Sequence, residues 1–216
     1  MLCPLCGRFS DDILCPDCLS HLESLSFAQL YPNRCPRCNR PVVDEAYPCL
    51  FCLNAFQAYG TYTGLLAELL LLYKIGGQRS LKKVLASLYV PLLEPLGKVV
   101  LIPIPASRNG LKRRGFDQMG LVCRYLKRSR GYGMLSLFVQ TGVGQNKFLS
   151  RHERHERHPL TLIPKKGAEI ARYQKEGYSF VIIDDVSTTG FTLQVARDLL
   201  AKAYGIDPFS LVLALA

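Results

Sequence analysis

The stretch VIIDDVSTTGFTLQVA, residues 181–196, decides how this chain is read. Val181, Ile182 and Ile183 form the aliphatic centre of a strand expected over Tyr178–Asp184, and Asp184 and Asp185 emerge at its carboxyl end. Ser187, Thr188, Thr189, Gly190, Phe191 and Thr192 then turn the chain into a helix expected over Thr192–Tyr204. In an open α/β sheet, ligands bind outside the carboxyl ends of the strands. A turn of small residues at a helix N-terminus presents unpaired backbone N–H groups and the positive end of the helix dipole, which suits a phosphate. The hydroxyls of Ser187, Thr188, Thr189 and Thr192 add hydrogen bonds, and two adjacent carboxylates suit the vicinal hydroxyls of a sugar. One turn thus offers places for a ribose diol and its 5′-phosphate. The plainer reading is an ordinary strand-to-helix turn capped by Thr192. A lone glycine-containing turn would leave that reading ahead; the full Asp–Asp–x–x–Thr–Thr–Gly–x–Thr string is much more specific.

Working outward, strands are expected at Phe56–Thr63, Lys98–Pro103, Leu135–Val139 and Phe209–Leu215. Helices are expected at Gly64–Ile75, apolar almost all round and ended by Gly76-Gly77, at Ser80–Leu88, and at Phe116–Arg128 with Met119, Val122, Cys123 and Leu126 on one face. Residues 142–158 read as a polar loop. Strands that alternate with helices and carry aliphatic cores predict an α/β fold, an open, mostly parallel sheet flanked by helices.

The first quarter of the chain has another texture. Eight of nine cysteines form four Cys-x-x-Cys pairs: Cys3/Cys6, Cys15/Cys18, Cys35/Cys38 and Cys49/Cys52. Each pair places two thiolates on one tetrahedral metal, and two pairs complete a four-thiolate zinc site. Two structural zinc sites are therefore expected. Sequential pairing gives two small ribbons, and an interleaved pairing satisfies the same spacing. Redox pairs and iron–sulfur ligation are the alternatives; four copies without a thioredoxin-like βαβ pattern disfavour the first. Residues 1–54 are thus expected to be a metal-held module, and 55–216 the α/β domain. Cys123 reads as a buried small hydrophobe.

The chain has 216 residues and a formal net charge of +10, which two zinc ions on eight thiolates would lower to about +6. No leader is visible before Cys3, and the most apolar run, Leu65–Tyr73, is broken by Glu68 and is too short to span a bilayer. The expected location is cytoplasmic, with any association with the inner membrane peripheral.

The 184–192 string resembles the phosphoribosyl pyrophosphate (PRPP) signature of type I phosphoribosyltransferases. PIPASRNGLKRRGFDQ, residues 103–118, is similar to the Pro-x-Pro and Arg-Gly-Phe-Asn-Gln segment of the ComF/GntX family, which also carries an N-terminal Cys-x-x-Cys module. The resemblance extends to the turn Tyr73-Lys74-Ile75-Gly76-Gly77 and covers nearly the whole chain. It implies a type I phosphoribosyltransferase fold and a role in competence, the uptake and handling of transforming DNA. It also implies that Asp184 and Asp185 hold ribose hydroxyls, that Ser187 to Thr192 cradle the 5′-phosphate, and that Pro105, Ala106, Ser107 and Arg108 hold pyrophosphate, with Mg²⁺ bridging ligand oxygens. If the site turns over, pyrophosphate is displaced at C1 and charge stabilisation is the main lever. Lys74, Arg108, Lys112, Arg113 and Arg114 are then the candidate cations, and Asp184, Asp185, Lys74 and Arg114 the candidate catalytic set. The chain departs from the family pattern at Asp117, where Asn is usual, and in TGVGQNKFLSRHER (141–154), one residue longer between its Thr and Gln.

RHERHERH (151–158) is not a His-Glu-x-x-His motif and reads first as a solvated helix or lid with local ion pairs. The clusters at Lys127-Arg128-Ser129-Arg130, Lys165-Lys166 and Arg113-Arg114, with Phe116, Tyr125 or Tyr132 as stacking surfaces, are candidates for nonspecific single-stranded DNA binding. Three functions follow: a PRPP-fold protein that handles single-stranded DNA, with the ribbons docking a competence or recombination protein; an active phosphoribosyltransferase; or a zinc-ribbon adaptor that senses PRPP.

Overall fold

The computed structural model describes residues 1–35, 40–42, 56–140 and 160–216. Its strands are β1 (Gln57–Thr61), β2 (Val99–Pro103), β3 (Gly133–Met134), β4 (Phe138–Gln140), β5 (Leu160–Leu162), β6 (Ser179–Ser187) and β7 (Phe209–Leu215). Five of them form one parallel sheet in the order β1-β7-β6-β2-β3, and β4 and β5 make a separate antiparallel pair. The helices are α1 (Pro16–Ser24), α2 (Phe27–Leu30), α3 (Gly64–Lys74), α4 (Lys82–Leu93), α5 (Arg108–Arg114), α6 (Gln118–Arg130), α7 (Gly167–Lys175) and α8 (Phe191–Tyr204). The fold is therefore α/β with an open parallel sheet flanked by helices, as the alternating pattern predicts. Among the described residues, no helix is long and apolar enough to cross a membrane.

Side chains alternate across the sheet. Val99, Leu101, Val181, Ile183, Leu211 and Leu213 point into one core with α3, α4 and α6. Val100, Ile102, Phe180, Ile182 and Val212 point into a second core with α7 and α8. This explains why the strands read as unbroken aliphatic runs: both faces are covered. Cys123 is fully buried in the first core, as expected.

The two central strands send the chain in opposite directions. From β2 it passes through α6 to β3; from β6 it passes through α8 to β7. The two crossover helices lie on opposite faces. The strand order therefore reverses between β2 and β6, which opens a crevice at their carboxyl ends.

Several boundaries differ from expectation; the helix expected at 116–128 runs from Gln118 to Arg130 and the first strand from Gln57 to Thr61. β6 runs on to Ser187, held by pairing of Asp184 with Val212 and of Ser187 with Leu215, so both acids lie within the strand. The helix expected at 80–88 starts as a 3-10 turn at Arg79–Leu81 and continues to Leu93, with Pro91 tolerated in its last turn. Of the strand expected at 135–139 only Phe138 and Val139 lie in one, β4, while β3 falls just before it at Gly133–Met134.

The described part of the cysteine-rich segment packs on both faces of β1, the outermost strand of the sheet among the described residues. Leu22 of α1 enters the first core, where its carbonyl accepts a 3.0 Å hydrogen bond from the Tyr59 hydroxyl. Phe27 of α2 enters the second core. A Cβ at Gly60 would stand 2.7 Å from the Leu25 carbonyl oxygen, so only glycine fits at this approach. The boundary expected near residue 54 lies outside the described residues.

Candidate functional site

Because β6 stays a strand through both acids, Asp184 and Asp185 face opposite ways. Asp185 shares the side of Val181 and Ile183, under α3 and α6, and is only 3% exposed. Lys74 Nζ at the end of α3 donates to its Oδ1 at 2.9 Å, and Gln118 Nε2 at the start of α6 donates to its Oδ2 at 2.8 Å. The Val186 N–H donates to Oδ1 at 2.8 Å. Gln118 is held in turn, since its carbonyl accepts the Tyr73 hydroxyl at 2.8 Å. Asp185 is thus an internal anchor that joins three elements.

Asp184 faces the α8 side. It lines a cavity of about 90 Å³ with Ser187, Thr188, Thr189, Gly190, Phe191 and Thr192. Burial, and next the Asp185 carboxylate, hold its carboxyl well above the usual carboxylate range. The buried Tyr89 hydroxyl donates to its backbone carbonyl. The turn is shaped from within: the Gly190 N–H donates to Ser187 Oγ at 3.1 Å and the Phe191 N–H to Thr189 Oγ1 at 3.3 Å. Gly190 is in the left-handed region, at φ 75°, and caps α8 in place of Thr192. A cavity of this size admits a phosphate group and is far below the ~300–1,000 Å³ that encloses a drug-sized ligand.

Across the crevice, Pro105 and Ala106 are half-buried and Ser107 and Arg108 exposed. The expected pyrophosphate loop is shorter than the sequence indicates, because α5 already begins at Arg108, where Ser107 Oγ accepts the Gly110 N–H at 3.0 Å. Arg114 folds back over α5: a Cβ at Gly110 would meet its guanidinium at 2.4 Å. Arg114 Nε, Asp117 Oδ1 and Gln118 Oε1 are buried without hydrogen-bond partners. Such orphans are rare enough in folded proteins to need an explanation. Phe116 is buried, edge-on to Tyr73 and beneath Arg79, and is no stacking surface.

At the other end of the chain, the thiols of Cys3, Cys6, Cys15 and Cys18 all lie within 4.8 Å of one another. Tetrahedral zinc with bonds of ~2.3 Å needs sulfurs roughly 3.8 Å apart, and Cys6 and Cys15 stand at 3.5 Å. These four residues fit a structural zinc ion, and the thiols that lie together are those of the first two pairs, as a sequential pairing requires. Cys38, Cys49 and Cys52 lie outside the described residues, as does the 141–158 segment with its RHERHERH run.

No family model matches the chain. It is similar to two curated proteins over almost its full length. One, competence protein ComFC of Streptococcus pneumoniae, is 28% identical over 98% of this chain and 100% of the relative. The other, competence protein ComFC of Bacillus subtilis, is 26% identical over 98% of this chain and 95% of the relative. The chain is thus similar over nearly its whole length to two ComFC competence proteins.

For this ComFC-like chain, two features of the site escaped the sequence. One is the division of labour between the acids, which period-two alternation would have given had β6 been carried on to Ser187. The other is a repeat in the cysteine segment. Cys3-Pro-Leu-Cys-Gly-Arg8 and Cys35-Pro-Arg-Cys-Asn-Arg40 share one pattern, CPxCxR. Their backbone frames match as well. The Cys3 N–H donates to the Arg8 carbonyl and the Cys35 N–H to the Arg40 carbonyl, at 2.8 and 2.9 Å. Ser10 bonds back to Met1 as Val42 does to Asn33, and the bridge between Leu2 and Phe9 recurs between Arg34 and Pro41.

Proposed function

We propose that this protein binds PRPP or a related phosphorylated ribose, with Mg²⁺, in the crevice between β2 and β6, and that it acts in competence by handling single-stranded DNA. The observation that carries the binding site is the phosphate-sized cavity closed by Ser187–Phe191 at the point where the strand order reverses, with Asp184 on its wall. The buried orphan atoms of Arg114, Asp117 and Gln118 support it, since they cluster on the neighbouring connection and await a polar partner. Mg²⁺, which favours ligand oxygens, water and few carboxylates, would be held by the phosphoribosyl oxygens with Asp184 as its protein contact. The names of the two relatives support the role in competence.

Binding ranks ahead of turnover. Departing pyrophosphate needs free positive charge. Lys74 is already paired with Asp185 and Arg114 lies over Gly110, which leaves only the solvent-exposed Arg108, Lys112 and Arg113 of the five candidate cations. The matching frames around Cys3 and Cys35 support a second zinc site, which makes the cysteine segment a double ribbon suited to docking another competence or recombination protein.

The test is thermal unfolding of the zinc-loaded protein with and without Mg²⁺-PRPP. Stabilisation of about 2.7 kcal/mol is expected at a hundredfold excess over the dissociation constant. Asp184→Asn should reduce it. No stabilisation at millimolar PRPP would sink the PRPP reading.

A further inference from the structure

Beside the phosphate-sized cavity stand two features that PRPP does not use. Phe191 lines the cavity yet leaves 48% of its surface exposed. PRPP carries no base to cover an aromatic ring. The second feature is α5. The Ile104 N–H donates to the Ile183 carbonyl at 2.9 Å, which ties the connection leading into α5 against β6 at the same edge of the sheet. Arg108 and Lys112, one helical turn apart, and the adjacent Arg113 are all exposed on it. None of the three pairs with an acid among the described residues. A small pocket that admits one phosphate, an exposed ring at its mouth and a row of free cations are the parts with which proteins hold single strands, by stacking bases and neutralising backbone charge.

We infer that the site accepts the 5′-phosphorylated end of a single-stranded nucleic acid. The terminal phosphate lies in the Ser187–Thr192 cradle, the first base stacks on Phe191, and the following phosphates run along Arg108, Lys112 and Arg113. This rests on the phosphate-binding reading above. Both ligands present the same chemistry, a phosphate on the 5′-oxygen of a pentose, and so exclude each other. Deoxyribose at the strand end lacks the diol that two carboxylates would grip, so the engagement of Asp185 by Lys74 and Gln118 is no obstacle to this ligand. Phe191 is then a specificity-determining residue: it separates a ligand with a base from one without.

The experiment is fluorescence anisotropy of the full-length zinc-loaded protein with a 3′-labelled oligothymidylate that carries either a 5′-phosphate or a 5′-hydroxyl. The phosphate is expected to tighten binding roughly tenfold or more, the worth of charge-assisted hydrogen bonds. Mg²⁺-PRPP should remove that advantage and leave the weaker, salt-sensitive binding of the hydroxyl strand. Phe191→Leu should weaken binding of the phosphorylated strand about fivefold or more, and Phe191→Tyr should restore it. Equal affinity for the two ends, with PRPP still stabilising the protein against heat, overturns this inference and leaves the PRPP reading standing. Equal affinity with no stabilisation by PRPP overturns both. A phosphate advantage that Phe191→Leu leaves intact overturns the stacking platform.

Discussion

Removing the Lys74 ammonium tests the network behind the site. Lys74 Nζ stands 2.9 Å from Asp185 Oδ1, and the two side chains are 30% and 5% exposed. Truncating one partner of a fully buried pair costs about 3–5 kcal/mol. Here Gln118 and the Val186 N–H still hold the carboxylate, and Lys74 reaches solvent, so the cost of Lys74→Met falls to about 2 kcal/mol, within the range for a hydrogen bond to a charged group. At this chain length that lowers the melting temperature by roughly 4–8 °C. Urea unfolding of Lys74→Met, Asp185→Asn and the double variant completes a cycle whose coupling should be about 1–2 kcal/mol. A loss below about 0.5 kcal/mol, typical of exposed pairs, or strict additivity would refute the reasoning. Lys74 would then be free to meet a ligand, and turnover would regain its cation.

Three further outcomes are expected. Gly190→Ala forces a side chain into the left-handed region at φ 75° and should cost about 1–2 kcal/mol while weakening phosphate ligands, by thermal shift and by titration. The Asp184 carboxyl has a folded pKa well above its ordinary 3.8; its contribution is present below that ordinary value and is lost as pH rises through the folded one. Asp184→Asn should therefore gain stability relative to the parent as pH rises above about 4 in urea titrations, and a flat difference would contradict the burial argument. Stripping metal with a chelator should release protein-bound zinc and loosen the packing of Tyr59 on Leu22, read by zinc colorimetry together with near-ultraviolet circular dichroism.

Much of this molecule is legible in its sequence, and the rest is hidden for definable reasons. Val99–Pro103 and Val181–Ile183 announce themselves because burial on both faces leaves no polar position in the run. Cys3, Cys6, Cys15 and Cys18 were readable as one ligand set because thiolate spacing is dictated by the metal, although the choice between sequential and interleaved pairing needed the fold. α5, with the sequence RNGLKRR, has no apolar stripe to betray it and is fixed by its Ser107 cap and by Arg114 folding onto Gly110. α1 lies hidden in the cysteine spacing, since two ligands flank its first turn and only Cys18 and Leu22 are buried. The opposed directions of Asp184 and Asp185 stayed hidden because acids and hydroxyls end strands in most sequences. Here pairing with β7 carries the strand four residues further than its aliphatic run.

The placement of Leu22 and Phe27 on either side of β1 gives the cysteine segment a duty apart from any partner. A strand at the rim of a parallel sheet offers unpaired N–H and C=O groups as a template for another chain, and natural proteins blunt such rims with a helix or loop. In this molecule the piece beside β1 carries the four clustered thiols of Cys3, Cys6, Cys15 and Cys18. If a metal holds those thiols together, losing it should loosen the cover beside β1, and protein stripped of metal is expected to self-associate, as light scattering would show.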